Sequence, residues 1–165
     1  MDKLQVKRVV GLEGFVNSGK TSVMKLLCKS ILNMDEARIL HVLDMQGNVC
    51  TATKIDFRND IFVVLEVKGK VVVIVSGGDY KTTPACIIKI LLKLSIRIDI
   101  LFVGMRYRNP SVGDGYRAAF NLYGITMESV FKPGFKRDWD IPDEVKEGLE
   151  RIWVDLLLEK ADMSV

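Results

Sequence analysis

The chain has 165 residues, 48% of them hydrophobic, and a formal net charge of +3. That size fits a single domain over residues 1–165, with enough core to fold without disulfides or a structural metal. The composition excludes a disordered chain, and so small a charge gives no clear signal for nucleic acid or a membrane as partner.

Val6 to Leu12 is a short apolar run bounded by Gly11 and Gly14, which predicts a buried strand. From Thr21 to Leu32, apolar residues at Val23, Met24, Leu26, Leu27 and Ile31 recur at helical spacing. Ile39 to Leu43 predicts a second strand ending at Asp44, and Asn48 to Phe57 is a candidate edge strand. Ile61–Val67 and Lys70–Ser76 are β-rich runs separated only by Lys68-Gly69, a gap that permits nothing but an antiparallel hairpin. Thr83 and Pro84 suit the start of a helix whose stripe is Ile87, Ile88, Leu91 and Leu92. Ile98 to Val103 predicts a strand, and Gly104 to Gly113 a loop rich in Arg, Asn and Pro. Asp114 suits the cap of a helix closing at Gly124. Ile125 to Phe131 predicts the last strand, and Lys132 to Asp140 a connector. Pro142 opens a terminal helix with Val145, Leu149, Ile152, Trp153 and Leu156 on one face. Strands alternating with helices imply an α/β fold in three layers: a mainly parallel sheet with one antiparallel hairpin, covered on both faces.

Gly14-Phe15-Val16-Asn17-Ser18-Gly19-Lys20-Thr21 matches G-x-x-x-x-G-K-[ST] at every fixed position, between a predicted strand and a predicted helix. The chemistry explains the residue types. Gly14 and Gly19 allow a tight turn, so that the N–H groups of a loop through Asn17 and Ser18 point at phosphate oxygens. The positive end of the following helix favours an anion. Lys20 reaches the β- and γ-phosphates, the Thr21 hydroxyl ligates Mg²⁺, and Ser22 lies within reach of the α-phosphate.

The segment resembles the Walker A loop of the P-loop NTPase superfamily. The resemblance covers residues 6–32 closely and implies a P-loop NTPase fold with a magnesium nucleotide at the loop. It leaves the reaction open. A second acidic group is expected to hold the magnesium through water, and two strand ends offer one: Asp79, after Val71–Ser76 and Gly77-Gly78, and Asp44. A hairpin leading to a Gly-containing loop looks like the small-GTPase arrangement, with Thr51 and Thr53 near the place of a switch threonine. The D-x-x-G motif is replaced by Ser76-Gly77-Gly78-Asp79, however, and Val103–Arg108 stands where N-K-x-D would read guanine. ATP is therefore expected over GTP. The chain also resembles small stand-alone P-loop proteins of bacteria and their phages, in its strand-Gly-Asp segment and in Arg106-Tyr107-Arg108.

Arg106, Arg108 and Arg117 fall near the edge where parallel sheets bind ligands, and suit a transferring phosphoryl group or a phosphorylated acceptor. Phe135, Trp139, Lys132, Lys136 and Arg137 follow the last strand, as a stacking site for the base or as packing against the terminal helix. The lone His41 lies inside a strand and reads as structural. Cys28, Cys50 and Cys86 form no metal spacing and read as thiols of a reducing cytoplasm. The chain opens with no basic leader, and Lys89, Lys93, Arg97 and Asp99 break its longest apolar stretch, so a cytoplasmic protein with no membrane partner is expected.

The residues thus predict Mg²⁺-dependent binding of a nucleoside triphosphate, with γ-phosphoryl hydrolysis or transfer to an acceptor. A nucleotide-dependent switch, acting on a protein partner with little turnover, is the alternative. Gln46 is the only glutamine after the loop, so no Gln stands near Asp79 to orient water.

Overall fold

A computed structural model describes residues 3–14, 19–44, 46–50, 54–76, 84–106, 112–133 and 141–163, without the side chains of residues 106 and 112–114. Six strands and four helices follow in the order β1 (Val6–Gly14), α1 (Lys20–Leu32), β2 (Ala37–Leu43), β3 (Phe62–Val67), β4 (Lys70–Val75), α2 (Pro84–Leu94), β5 (Ile98–Arg106), α3 (Val112–Asn121), β6 (Met127–Lys132) and α4 (Asp143–Lys160). The fold is α/β, built on one mixed sheet ordered β2-β3-β4-β5-β1-β6. β3 is antiparallel to β2 and β4, and every other pairing is parallel. Five strands therefore run in one direction and end on one edge, and β3 alone runs back.

Alternation along β1 divides the core in two. Val9 joins Ile87, Leu91, Tyr116 and Phe120 under α2 and α3, while Val10 and Leu12 join Leu27, Ile31, Val154 and Leu157 under α1 and α4. Each face of the sheet is thereby covered by two helices. At the β3–β4 turn, Lys68 and Gly69 have φ of 50° and 80°, the left-handed pair that a two-residue type I′ hairpin requires. No helix among the described residues is long and apolar enough to cross a membrane.

The structure departs from the sequence expectation in several places. β1 and β5 continue to Gly14 and Arg106, because Glu13–Met105 and Gly14–Arg106 stay in register between paired neighbours. Arg106 thus ends a strand rather than lying in a loop. Asp114 lies inside α3 instead of capping it. Around residue 50 the only pairing described is one bridge between Leu43 and Val49, and residues 54–57 form no strand. α4 turns a different face inward. Val145 and Ile152 are each 51% exposed, and the buried residues are Glu150, Val154, Leu157 and Leu158. Both stripes have helical period, and the charge of Glu150 disguises the one that packs.

Candidate functional site

The edge carrying the five strand ends is the place to look for ligand chemistry, as in other sheets with parallel strands. β1 stops there at Gly14, and α1 starts at Lys20. The residues between include Asn17 and Ser18, which lie outside the described residues. Gly19 is the N-cap of α1, with φ 87° and ψ 15° and no side-chain capping hydrogen bond. Its carbonyl accepts the Val23 N–H at 3.0 Å, so the helix is wound from its first residue. The first turn carries no acidic side chain to occupy its N–H groups. Lys20 and Thr21 are half-buried and Ser22 is exposed.

Gly19 is the residue this corner tolerates least well replaced. A side chain there would sit in left-handed backbone, and its Cβ would stand 3.3 Å from Lys132 Nζ. Gly19→Ala is expected to cost ~1–2 kcal/mol of folding stability from the backbone alone. A urea titration of variant and wild type checks it.

In register across the edge, Gly14 has Arg106 on β5 to one side and Lys132 on β6 to the other. Lys132 closes β6 with none of its surface exposed, which corrects its expected place in a connector. Its ammonium lies 4.8 Å from the Trp153 ring centroid, and its Nζ is 3.4 Å from the Pro133 carbonyl oxygen to which it donates. Glu150 approaches the same corner from α4, its Oε1 3.7 Å from the Cβ position of Gly19. That oxygen is buried and has no hydrogen-bond partner among the described residues. Burial pushes the Lys132 ammonium below the usual lysine value, with Glu150 acting the other way. Burial likewise pushes the Glu150 carboxyl up, against the pull of Lys146 and Lys132. Burial thus disfavours the charged form of each group, and the opposite charge of the other offsets only part of that.

On the opposite face of the sheet, one residue before Gly14, Glu13 is buried beside Met105 and Phe131. Arg117 of α3 donates through Nη2 to Glu13 Oε1 and, at 2.8 Å, to Ser129 Oγ. Arg117 therefore ties α3 to β1 and β6, where the sequence offered it for a phosphoryl group or a phosphorylated acceptor.

The remaining candidates divide clearly. Asp44 directly follows β2, four strand spacings from β1, or roughly 19 Å. Its carboxylate accepts the N–H of Gln46 at 3.0 Å and of Asn48 at 2.9 Å, and the Asn48 side-chain amide at 3.3 Å. These donors, the Asn48 N–H foremost, hold its carboxyl below the usual range. Asp44 is a turn residue, and the structure does not bring it to Thr21 as a shared magnesium ligand. β5 lies between β4 and β1. The end of β4 therefore stands about 10 Å from β1. There Ser76 is buried, its hydroxyl accepting the Ile61 N–H at 2.7 Å. Asp79, Arg108, Thr51, Thr53, Phe135, Lys136, Arg137 and Trp139 lie outside the described residues. Cys28 is buried in α1 and its thiol is pushed up to about 12, which removes it as a nucleophile. Among the described residues no cluster of three or more His, Cys, Asp or Glu side chains is arranged to hold a metal.

Sequence reasoning did not find Glu13 or Glu150. A carboxylate next to a glycine-rich loop and another inside an apolar stripe were the available signals. No family model, curated protein or solved structure matches this chain.

Proposed function

We propose that the chain binds a magnesium nucleoside triphosphate at Gly14–Thr21, with ATP preferred over GTP, and hydrolyses or transfers its γ-phosphoryl group. The observation that carries this is the left-handed Gly19 between a buried inner strand and a helix whose first residues are Lys20 and Thr21. That is the arrangement in which loop and helix N–H groups converge on an anion. Gly14, Asn17, Ser18, Gly19, Lys20, Thr21 and Ser22 then surround the phosphates, as in the P-loop superfamily the motif resembles. Thr21 ligates the magnesium. Asp79 is the candidate to hold it through water: three residues beyond Ser76 span up to ~10 Å, which matches the two-strand gap. Arg106, in register with Gly14, and Arg108 beyond it are candidates to meet charge on the transferred group or its acceptor.

The switch alternative draws support from Glu13. It is the carboxylate nearest the loop in sequence, and Arg117 engages it, which leaves it poorly placed as a catalytic base.

Calorimetric titration with ATP and GTP analogues, with Mg²⁺ and with EDTA, tests the proposal, and phosphate release with and without acceptors separates enzyme from switch. No binding of either nucleotide under any condition would sink it. Thr21→Ala is expected to weaken binding about tenfold, about 1.4 kcal/mol, in Mg²⁺ and to leave it unchanged in EDTA. Equal losses in both conditions would assign Thr21 another role.

A further inference from the structure

Behind Gly19, on the face covered by α1 and α4, two buried ionisable groups approach one point where a protein core rarely holds even one. Lys132 leaves the sheet beside Gly14 and brings its Nζ and Cε to 3.3 and 3.6 Å from the Cβ position of Gly19. The lysine thus runs from its place beside Gly14 to the neighbourhood of Gly19. Glu150 Oε1 stands 3.7 Å from the same point, is buried, and has no hydrogen-bond partner among the described residues. A methionine or leucine would fill such a space without the desolvation cost of two charges. A buried pair that merely holds the fold is a weak explanation for an acceptor atom left unsatisfied.

We propose that Lys132 is a second phosphate-directed cation, acting on the nucleotide from behind the loop, and that Glu150 is the counter-charge that tempers it. Resting on the nucleotide-binding function proposed above, the inference assigns that site a ligand class, polyanionic phosphate, and a pair of opposed charges that set its affinity. Lys132 makes no direct contact with the phosphates in this scheme. Its field reaches the loop at Gly19 from a position that is itself buried. For a separation on the order of 7 Å and an effective dielectric of ~20, one unit charge would change the affinity for a phosphate by more than tenfold before the partial offset by Glu150.

The two charges therefore have opposite signs of effect, which a packing role cannot imitate. Lys132→Met keeps length and volume and removes the cation. Glu150→Gln keeps shape and removes the anion. Affinities for Mg-ATP and Mg-ADP are to be measured for both variants and wild type, with thermal unfolding recorded for each. The expected result is binding weakened on the order of tenfold by Lys132→Met and tightened several-fold by Glu150→Gln, with both changes larger for ATP than for ADP. Weakening by both variants, or no change in either, overturns the proposal. If Lys132→Met does not fold, Glu150→Gln decides alone: tighter binding supports the assignment, and unchanged or weaker binding overturns it. Failure of the wild type to bind either nucleotide would instead overturn the function itself.

Discussion

Lys20→Ala is expected to abolish magnesium-nucleotide binding, with a loss of at least about 3 kcal/mol, or ~100-fold in affinity, while the protein stays folded. Lys20 is the first residue of α1, immediately after the left-handed Gly19, and belongs to neither of the two apolar clusters. The residue is half-buried. A charge-assisted contact to phosphate at such a place is among the stronger polar interactions a protein makes. Alanine is in addition the best helix former, so α1 loses nothing in propensity. The effect on folding is accordingly expected to stay within about 0.5 kcal/mol. Calorimetry gives the affinity and thermal unfolding the stability. An alanine variant that binds nucleotide as tightly as wild type would remove the loop from the function.

Arg117→Met should cost about 3 kcal/mol of folding stability, because it strands the Glu13 carboxylate in the core. Glu13 has 9% of its side chain exposed, and Arg117 has 38%. The penalty thus falls on the carboxylate, which has the less access to water. Ser129 loses the same donor. Adding Glu13→Gln to the variant removes the stranded charge and is expected to recover part of the loss, a non-additivity that a double-mutant cycle reads directly. Urea unfolding of the four proteins is the measurement. A cost below about 0.5 kcal/mol for Arg117→Met would place the pair with ordinary surface salt bridges. Since Glu13 precedes Gly14, the variant is also a test of how firmly the loop must be anchored for binding.

What was legible in the sequence is what depends on neighbours in sequence. The hairpin followed from a two-residue gap, α1 from its apolar spacing, and the Gly19–Thr21 corner from a motif whose turn, helix and charge are contiguous. Strand order was not legible. Val71–Ser76 is apolar enough for any inner position, and only pairing over long range puts β5 between it and β1. Lys132 and Glu150 were hidden by their charge, since a lysine after a strand and a glutamate on a helix ordinarily face water. The inward face of α4 was misread for the same reason. Arg117 reads as a phosphate-directed arginine until α3 is laid over β1 and β6, and Asp44 stays a magnesium candidate until β2 proves to be the far edge of the sheet.

The order of the strands also bears on how the protein is made. β1 leaves the ribosome first, yet its two partners are the fifth and sixth strands, with Val6 paired to Ile98 and Val9 to Met127. β3 and β4, by contrast, can zip as soon as their turn emerges. β1 must wait as an unpaired, largely apolar segment until β5 and β6 have been synthesised, which is the costly kind of long-range closure. Gly14 is flanked on both sides only once Lys132 has joined the sheet. A stalled nascent chain ending before β6 is expected to show hairpin structure but to bind no nucleotide, so ligand capture by ribosome-bound chains of increasing length would time the closure of the sheet.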